Sequence, residues 1–386
     1  MENFRFCVGT EILFGKGQVD NLPGVLGRYG KRVLLTYGGG SIKRTGLYDK
    51  VKALLKGFEV YELSGIQPNP RIESVYEGER ICKEKGIDVI LAVGGGSTID
   101  CSKAIAAAAY YDGDAWDLVL EPQKIKKALP ICTILTLAAT GSEMDAAGVI
   151  TNLKTKEKIG FINPLVLPKA SILDPENTFT VPANQTAAGT ADIMSHIIEV
   201  YFANHQAFIP DRINEGLLKA CIKYCPIALR DPSNYEARAQ LMWASTLAIN
   251  GIGSTGKGAA WSCHPMEHEL SAFYDITHGV GLAILTPRWM RYILSDRTVD
   301  KFVDYAVNVW DIENEGDKYV VANRGIDATE AFFRECGIPM TLEEVNIGEG
   351  HFEQMAEDAV KFGSLQSAYV PLKKEDVLDI FRMCLK

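Results

Sequence analysis

Hydrophobic residues in the first half of the chain form short continuous runs, separated by longer stretches in which apolar positions recur at helical spacing. From Lys31 to about Asp174 this alternation is typical of β-α-β units built on a mainly parallel sheet. The apolar runs predict strands at Arg32–Tyr37, Val89–Val93, Ile131–Leu135 and Ala170–Leu173. Amphipathic stretches at Gly46–Leu55 and Ile72–Lys85 predict helices that cover the faces of the sheet.

After Pro182 the pattern becomes helical. Apolar positions at helical spacing predict helices at Thr186–Phe202, Pro210–Lys223, Asn234–Asn250, Thr298–Trp310, Ala328–Cys336 and Phe352–Phe362. The segment Thr180-Val-Pro182 follows the last predicted strand, so we place the domain boundary there. We therefore predict an α/β domain at residues 1–181 and an all-α domain at residues 182–386.

Length and charge support this division and exclude several classes of protein. The 386 residues suffice for about two domains. The net charge of −9 argues against a general nucleic-acid-binding protein, which would neutralise phosphates with clustered Lys and Arg. No segment has the roughly 18 uninterrupted apolar residues of a membrane helix, and the N-terminus lacks the apolar core of a secretory signal. We expect a cytoplasmic protein with no nucleic-acid or membrane partner.

The nine cysteines are scattered without CxxC spacing. Cys221 and Cys225 lie at helical i,i+4 spacing, but further thiolate ligands are absent nearby in the sequence. The cysteines are therefore predicted to be reduced thiols in the core.

A glycine-rich turn follows the predicted strand at Val89–Val93. The chain reads Gly94-Gly95-Gly96-Ser97 and then enters a predicted helix through Asp100. Glycines let the backbone approach a ligand closely, and the free N–H groups at the start of a helix attract phosphate. The turn is therefore a candidate cradle for a diphosphate, although its spacing differs from the common G-x-G-x-x-G fingerprint and Ser97 also suits a helix N-cap.

Two further junctions follow other predicted strands. Gly38-Gly39-Gly40-Ser41 ends the first strand, with Lys43 and Arg44 close behind it. Thr136-Leu-Ala-Ala-Thr140-Gly-Ser-Glu143 follows the third strand and concentrates hydroxyl groups that can bond ribose or phosphate oxygens. Open α/β sheets bind ligands at the carboxyl ends of their strands, so the repeated junctions favour a nucleotide.

Histidines and a carboxylate are concentrated at metal-ligand spacings in the second half. Asp192 and His196 lie four residues apart in a strongly helical run, so both project from one face of the helix. His264 and His268 repeat this spacing, and His278 lies ten residues further on. A mixed Asp and His site suits Zn²⁺ or Fe²⁺. Spacing leaves all five residues as candidate ligands.

A different enzyme class matches part of this cluster. His264-Pro-Met-Glu267-His268 has the form H-x-x-E-H of an inverted zinc-peptidase motif. In a peptidase both histidines would bind Zn²⁺ and Glu267 would activate water. This interpretation gives Asp192 and the glycine junctions no function, so it is the alternative rather than the main hypothesis.

In their order along the chain, these motifs resemble the iron-containing, or group III, alcohol dehydrogenase family. The resemblance rests on Gly94-Gly-Gly-Ser97, Thr136-x-x-x-Thr140-Gly-Ser-Glu143, Asp192-x-x-x-His196 and His264-x-x-x-His268-Glu-Leu with His278-Gly279. The segment Tyr37-Gly-Gly-Gly-Ser41-Ile-Lys43 is similar to the butanol dehydrogenase branch. The family implies an N-terminal nucleotide-binding domain and a helical metal-binding domain, a dehydroquinate-synthase-like fold, usually in dimers or larger oligomers.

The resemblance also implies roles for individual residues. The metal ligands would be Asp192, His196, His264 and His278. His268 would lie nearby, either supporting these ligands or acting as a catalytic residue in a proton relay. Asn69 and Lys158 would lie near the ribose and adenylate of the cofactor. Junctions and resemblance together predict a cofactor site formed by Gly38, Gly39, Ser41, Asn69, Gly94, Gly95, Gly96, Ser97, Asp100, Thr136, Thr140 and Lys158.

The expected activity is the interconversion of aldehydes and primary alcohols, of the butyraldehyde and butanol type, by a homodimer that uses Fe²⁺ or Zn²⁺. Many NAD-preferring relatives carry an Asp after the first strand, where this chain has Gly38. With Lys43 and Arg44 nearby, this favours NADP(H), with NAD(H) possible. A dehydroquinate-synthase-like lyase on the same fold is a second alternative.

Overall fold

In the computed structural model, which describes residues 1–258 and 261–386, six strands form one parallel sheet. The strands of the chain are β1 (Glu11–Phe14), β2 (Arg32–Tyr37), β3 (Glu59–Leu63), β4 (Val89–Gly94), β5 (Ile131–Leu135), β6 (Ala147–Asn152), β7 (Glu157–Ile162) and β8 (Ala170–Leu173). The sheet order is β1-β8-β5-β4-β2-β3, and β6 and β7 form a separate antiparallel pair. All four predicted strands are present. Of the strands that the prediction lacked, β1 and β3 lie at the sheet edges with partly exposed, polar-containing sequences. β6 and β7 lie outside the parallel sheet.

Alternate residues of the central strands enter two hydrophobic cores. Val33 and Leu35 of β2 are buried in one core, and Leu34 is buried in the other. Such strands are continuously apolar because helices cover both faces of a parallel sheet. The helices of this part are α1 (Leu22–Gly27), α2 (Ser41–Arg44), α3 (Leu47–Leu54), α4 (Ile72–Lys85), α5 (Gly96–Ala108) and α6 (Ala115–Leu120).

The rest of the chain is helical, as predicted. Its helices are α7 (Ala183–Tyr201), α8 (Phe208–Arg230), α9 (Tyr235–Ile249), α10 (Cys263–Tyr274), α11 (His278–Ile293), α12 (Val299–Trp310), α13 (Lys318–Glu335), α14 (Phe352–Gly363) and α15 (Lys374–Met383). Every residue of α7 from Thr186 to Tyr201 is buried, so α7 is the central helix. Its small residues allow this, because they let neighbouring helices approach its backbone.

Contacts divide the chain into two compact units. The sheet unit contains residues 7–181 and 232–246, and the helical unit contains residues 1–6, 182–231 and 247–386. The predicted division at residue 181 differs from these units in two segments. Met242 of α9 is buried with Ala92, Leu135 and Leu173, which places residues 232–246 in the sheet unit. The Glu2 N–H donates to the Gly256 carbonyl, 2.9 Å away, within the helical unit.

Hydropathy and helix length give no membrane-spanning candidate anywhere in the described ranges.

Candidate metal centre and nucleotide site

The central helix α7 presents Asp192 and His196 one turn apart on one face. Both side chains are buried, and His196 Nε2 lies 3.5 Å from Asp192 Oδ1. The alanine-rich sequence favours a helix here, and the i,i+4 spacing then brings the two side chains together. Local sequence therefore accounts for this half of the cluster.

The other half comes from α10 and α11. His264 lies in the first turn of α10 and places Nε2 3.6 Å from Asp192 Oδ1. His278 begins α11 and places Nε2 3.8 Å from the same oxygen. A Cβ atom on Gly279 would collide with the Ala188 carbonyl oxygen of α7. Only glycine therefore allows α11 to begin this close to α7.

Together these residues form an arrangement that fits a divalent cation. Three imidazole nitrogens surround one carboxylate oxygen at 3.5–3.8 Å. Ligand bonds of about 2.0–2.2 Å in a tetrahedral site put neighbouring donor atoms about 3.4 Å apart. Asp192 Oδ1 and His264 Nε2 are buried and have no hydrogen-bond partner among the described residues, which is costly unless a cation binds them. Imidazole with carboxylate suits Fe²⁺ or Zn²⁺.

The electrostatics of the cluster favour a positive charge at its centre. Burial lowers the pKa of His196 to about 4, so its ring is neutral and free to act as a ligand. Burial by itself would raise the pKa of Asp192, but His196 and His278 together hold that pKa well below its usual range. Burial likewise opposes protonation of His264, yet Glu199 and Asp192 raise its pKa to about 10. A metal ion would displace that proton, as ligands must be deprotonated.

Two buried glutamates contact the far side of the histidine rings. Glu199 Oε1 lies 2.5 Å from His264 Nδ1, and Glu267 Oε2 contacts His278 Nδ1. No sequence motif indicated Glu199, and the H-x-x-E-H motif suggested Glu267 only as the base of a peptidase. No spacing signal links these glutamates to their histidines, because Glu199 and His264 are 65 residues apart.

His268 lies beside the cluster, one turn after His264 on α10. Its ring centroid is 5.8 Å from that of His278 and 6.4 Å from that of His264. The ring is only partly buried. The structure therefore brings the residue predicted for a proton relay next to two of the predicted ligands.

In the sheet unit, the glycine junctions meet at the carboxyl ends of adjacent strands. β4 ends at Gly94, α5 begins at Gly96, and the Thr136 N–H donates to the Gly94 carbonyl, 3.0 Å away. A Cβ atom on Gly96 would collide with the Thr140 side chain. Glycine at this position therefore lets Thr140, another predicted cofactor residue, pack directly against the start of α5.

The second junction lies at the end of the neighbouring strand. Gly38 follows β2, and a Cβ atom there would lie 3.9 Å from Thr98 Oγ1 of α5. Gly39 borders open space, and Gly40 adopts a left-handed conformation with φ of 95° just before Ser41 begins α2. The structure thus brings the predicted residues of both junctions to one edge of the sheet.

Three other predicted cofactor residues lie elsewhere in the sheet unit. Both oxygens of Asp100 are engaged by the protein, because Ser142 Oγ donates to one (2.5 Å) and the Val149 N–H to the other (3.0 Å). Asp100 therefore joins α5 to β6, a role that the prediction did not foresee. Asn69 and Lys158 are buried beside the β6–β7 pair, where Thr151 pairs with Lys158 and donates its N–H to the Pro70 carbonyl.

Comparison with known proteins agrees with this combination of fold and donor atoms. The sequence model described as "Iron-containing alcohol dehydrogenase" matches residues 9–175, and the C-terminal model of the Fe-containing family matches residues 186–385. The chain belongs to the iron-containing alcohol dehydrogenase family. The resemblance stated from the motifs is thereby confirmed, as is the fold class.

Relatives place the chain near the butanol dehydrogenase branch of the iron-containing alcohol dehydrogenases. It is 55% identical over 386 residues to NADH-dependent butanol dehydrogenase A of Clostridium acetobutylicum, covering 99% of each chain. It is 40% identical over 352 residues to the NADPH-dependent aldehyde reductase YqhD of Escherichia coli, covering 90% of each. The crystal structure of NADH-dependent butanol dehydrogenase A from Thermotoga maritima has a TM-score of 0.96 at 39% identity and covers 100% of this chain and 99% of its own.

Membership of this family distinguishes the dehydrogenase from the peptidase and the lyase, the enzyme classes that remained possible from the sequence. The chain is an oxidoreductase of alcohols and aldehydes, and neither the peptidase nor the lyase alternative is supported. The structure gives a physical reason against the peptidase. Glu267 is fully buried, contacts His278 Nδ1 and accepts a 2.5 Å hydrogen bond from Ser271 Oγ. A peptidase base must instead face solvent and its nucleophilic water.

Proposed function

We propose that this protein interconverts short aliphatic aldehydes and primary alcohols, with butyraldehyde and butanol as representative substrates. Fe²⁺ would be held by Asp192, His196, His264 and His278. The proposal rests on the convergence of three ring nitrogens on Asp192 Oδ1. Two of these four donor atoms, Asp192 Oδ1 and His264 Nε2, are buried without a hydrogen-bond partner among the described residues. The names of the butanol dehydrogenase relatives support the choice of substrate.

When bound, the metal supplies a Lewis acid for the substrate oxygen, and the nicotinamide supplies or accepts hydride. The protein's own residues bind and shield these groups. Trp261, half-buried, lies edge-on to His196 and His264 with ring centroids 5.7 Å and 5.0 Å away. Its ring would exclude water from this side of the ligands. His268 would hold, on a ring nitrogen, the proton that the alkoxide product takes up.

The backbone at Gly95, Gly96 and Ser97 would bind the coenzyme diphosphate through N–H groups at the start of α5. We propose NADH as the preferred coenzyme, although the sequence pattern favours NADP(H). Lys43, the cation expected to pair with a 2′-phosphate, lies 5.1 Å and 4.8 Å from the ring centroids of Tyr37 and Tyr48. The relatives with the higher identities are named NADH-dependent, which supports this choice.

The carboxylate of Glu62 adds to this argument. It accepts hydrogen bonds from Tyr37 and Tyr48, each at 2.9 Å. Lys52 Nζ balances the charge of this carboxylate, 2.8 Å away. Both tyrosine hydroxyls already donate to Glu62, so neither has a proton left to donate to a 2′-phosphate. The preference is measured as the ratio of kcat/KM for NADH to kcat/KM for NADPH, and a ratio below one would refute it.

The activity is tested by following reduced nicotinamide absorbance with butyraldehyde, after the purified protein has been stripped of metal and refilled with Fe²⁺, Zn²⁺ or no metal. We expect turnover with Fe²⁺, none without metal, and loss of both bound metal and turnover in His278→Ala. Full activity of the metal-free protein would refute the metal-dependent mechanism. Peptide cleavage without nucleotide would instead support the peptidase. The cytoplasmic location and the homodimer remain predictions.

A further inference from the structure

We propose that Glu267 and Glu199 are positioning residues that decide which ring nitrogen of His278 and His264 faces the metal. The inference rests on the proposed metal site. Each glutamate contacts the Nδ1 atom of its histidine, while the Nε2 atom of the same ring lies within 3.8 Å of Asp192 Oδ1. A neutral imidazole that donates its Nδ1–H to a carboxylate presents an unprotonated Nε2, the form that can bind a metal, on the opposite side.

Glu267 is itself held in place by its surroundings. Ser271 Oγ, one turn further along α10, donates a 2.5 Å hydrogen bond to Glu267 Oε1, so Oε2 is directed at His278. A Cβ atom on Gly281 would lie only 2.8 Å from Glu267 Cγ. Gly281 therefore makes the space on α11 that lets this glutamate approach the first turn of the helix that carries His278.

The carboxylate of Glu199 contacts both the ring of His264 and the first backbone N–H groups of α10, the helix that carries His264. Its Oε1 atom contacts His264 Nδ1, while its Oε2 atom accepts the backbone N–H groups of Ser262 and Cys263, both at 2.7 Å. Those N–H groups belong to the start of α10 and have no partner within the helix. One side chain of α7 thus caps α10 and orients the ring in its first turn.

For the third histidine, no carboxylate of the described residues contacts Nδ1. His196 Nδ1 is buried without a hydrogen-bond partner in the described residues, and its ring is instead stacked on His264 with centroids 4.5 Å apart. Packing orients His196, whereas hydrogen bonds orient His264 and His278. Removal of Glu199 should therefore release the ring of His264 only, and removal of Glu267 should release the ring of His278 only.

Glu267→Ala tests the proposal, with Glu267→Gln as the conservative variant. The amide oxygen of Gln can still accept the Nδ1–H, and the Ser271 hydroxyl can turn towards the Ile276 carbonyl, 3.4 Å away. We expect Glu267→Ala to weaken metal affinity by about 10–100-fold and Glu267→Gln to recover most of that loss. Affinity is measured by competition with a chelator, and the visible absorption of the Co²⁺-substituted protein reports the ligand geometry.

Glu215→Gln is the matched control, because Glu215 is a buried glutamate of the same unit that bonds Tyr201 and Asn308. It should change neither the affinity nor the Co²⁺ spectrum. If Glu267→Ala fails to fold, Gly281→Ala provides an independent test. It leaves both partners chemically intact but pushes Glu267 away, so it should alter the Co²⁺ spectrum and weaken binding.

The measurements of metal binding and turnover distinguish failure of the positioning role from failure of the proposed function. If the wild-type protein binds no stoichiometric metal, the proposed function fails. If the wild type binds one ion and turns over butyraldehyde, but Glu267→Ala and Gly281→Ala keep its affinity and Co²⁺ spectrum, only the positioning role is refuted. Equal loss of affinity in Glu267→Ala and Glu215→Gln would also refute it, because the effect would then be structural.

Discussion

His264 and His268 lie one turn apart on α10, and spacing alone gives them equal status as ligands. In the structure their surroundings differ. His264 Nε2 lies 3.6 Å from Asp192 Oδ1, whereas the ring centroid of His268 lies 5.8 Å from that of His278. At the scale of single residues, the two histidines should therefore differ in what their removal does.

His268→Ala should lower kcat by roughly 100-fold, the order of effect of a lost general acid. It should leave the bound metal in place. The measurement is kcat together with metal content on the same preparation. His205→Ala is the control, because His205 is exposed and its Nε2 lies 2.8 Å from Glu2 Oε1. Loss of metal in His268→Ala would make it a ligand rather than a proton carrier.

At the scale of elements, the metal centre depends on how closely α11 approaches α7. Gly279 permits this approach, since a side chain there would collide with the Ala188 carbonyl oxygen. Gly279→Ala should destabilise the fold by about 1–3 kcal/mol, as overpacking does, and should weaken metal binding because His278 is the neighbouring residue. Denaturant unfolding and metal content measure the two effects.

Gly216→Ala is the control for this change. Gly216 lies within α8, and a Cβ atom there would extend into open space among the described residues. Alanine there should stabilise the protein by roughly 0.5–1 kcal/mol, because glycine loses more backbone freedom in a helix. Equal behaviour of the two variants would show that α11 can shift at no cost.

In the whole molecule, the predicted binding sites for the metal ion and for the coenzyme belong to different compact units. The four metal-binding side chains lie in the helical unit, and the glycine junctions lie in the sheet unit. A ligand stabilises the state that binds it, so each should protect its own unit against local opening. Hydrogen exchange followed by mass spectrometry should show faster exchange of α10 and α11 after chelation. NADH should slow exchange at the start of α5, and unchanged α10 and α11 after chelation would contradict the assignment.

Features that depend on local periodicity can be predicted from the amino-acid sequence alone. Continuous apolar runs identify β2, β4, β5 and β8, since a strand buried on both faces carries no polar alternation. The i,i+4 spacing likewise pairs Asp192 with His196, because one helix carries both. The ordered motifs were sufficient for the family, which the comparisons confirm.

Contacts between segments that are distant in the chain become known only from the tertiary structure. The contact of Glu199 with His264, the two bonds that engage Asp100 and the packing of Met242 on the sheet unit all bring together residues far apart in the chain. No local period encodes such contacts, because each depends on how separate helices and strands pack. The same holds for Glu267. Its place in an H-x-x-E-H motif suggested a peptidase base, whereas packing around Gly281 buried it and turned it towards His278.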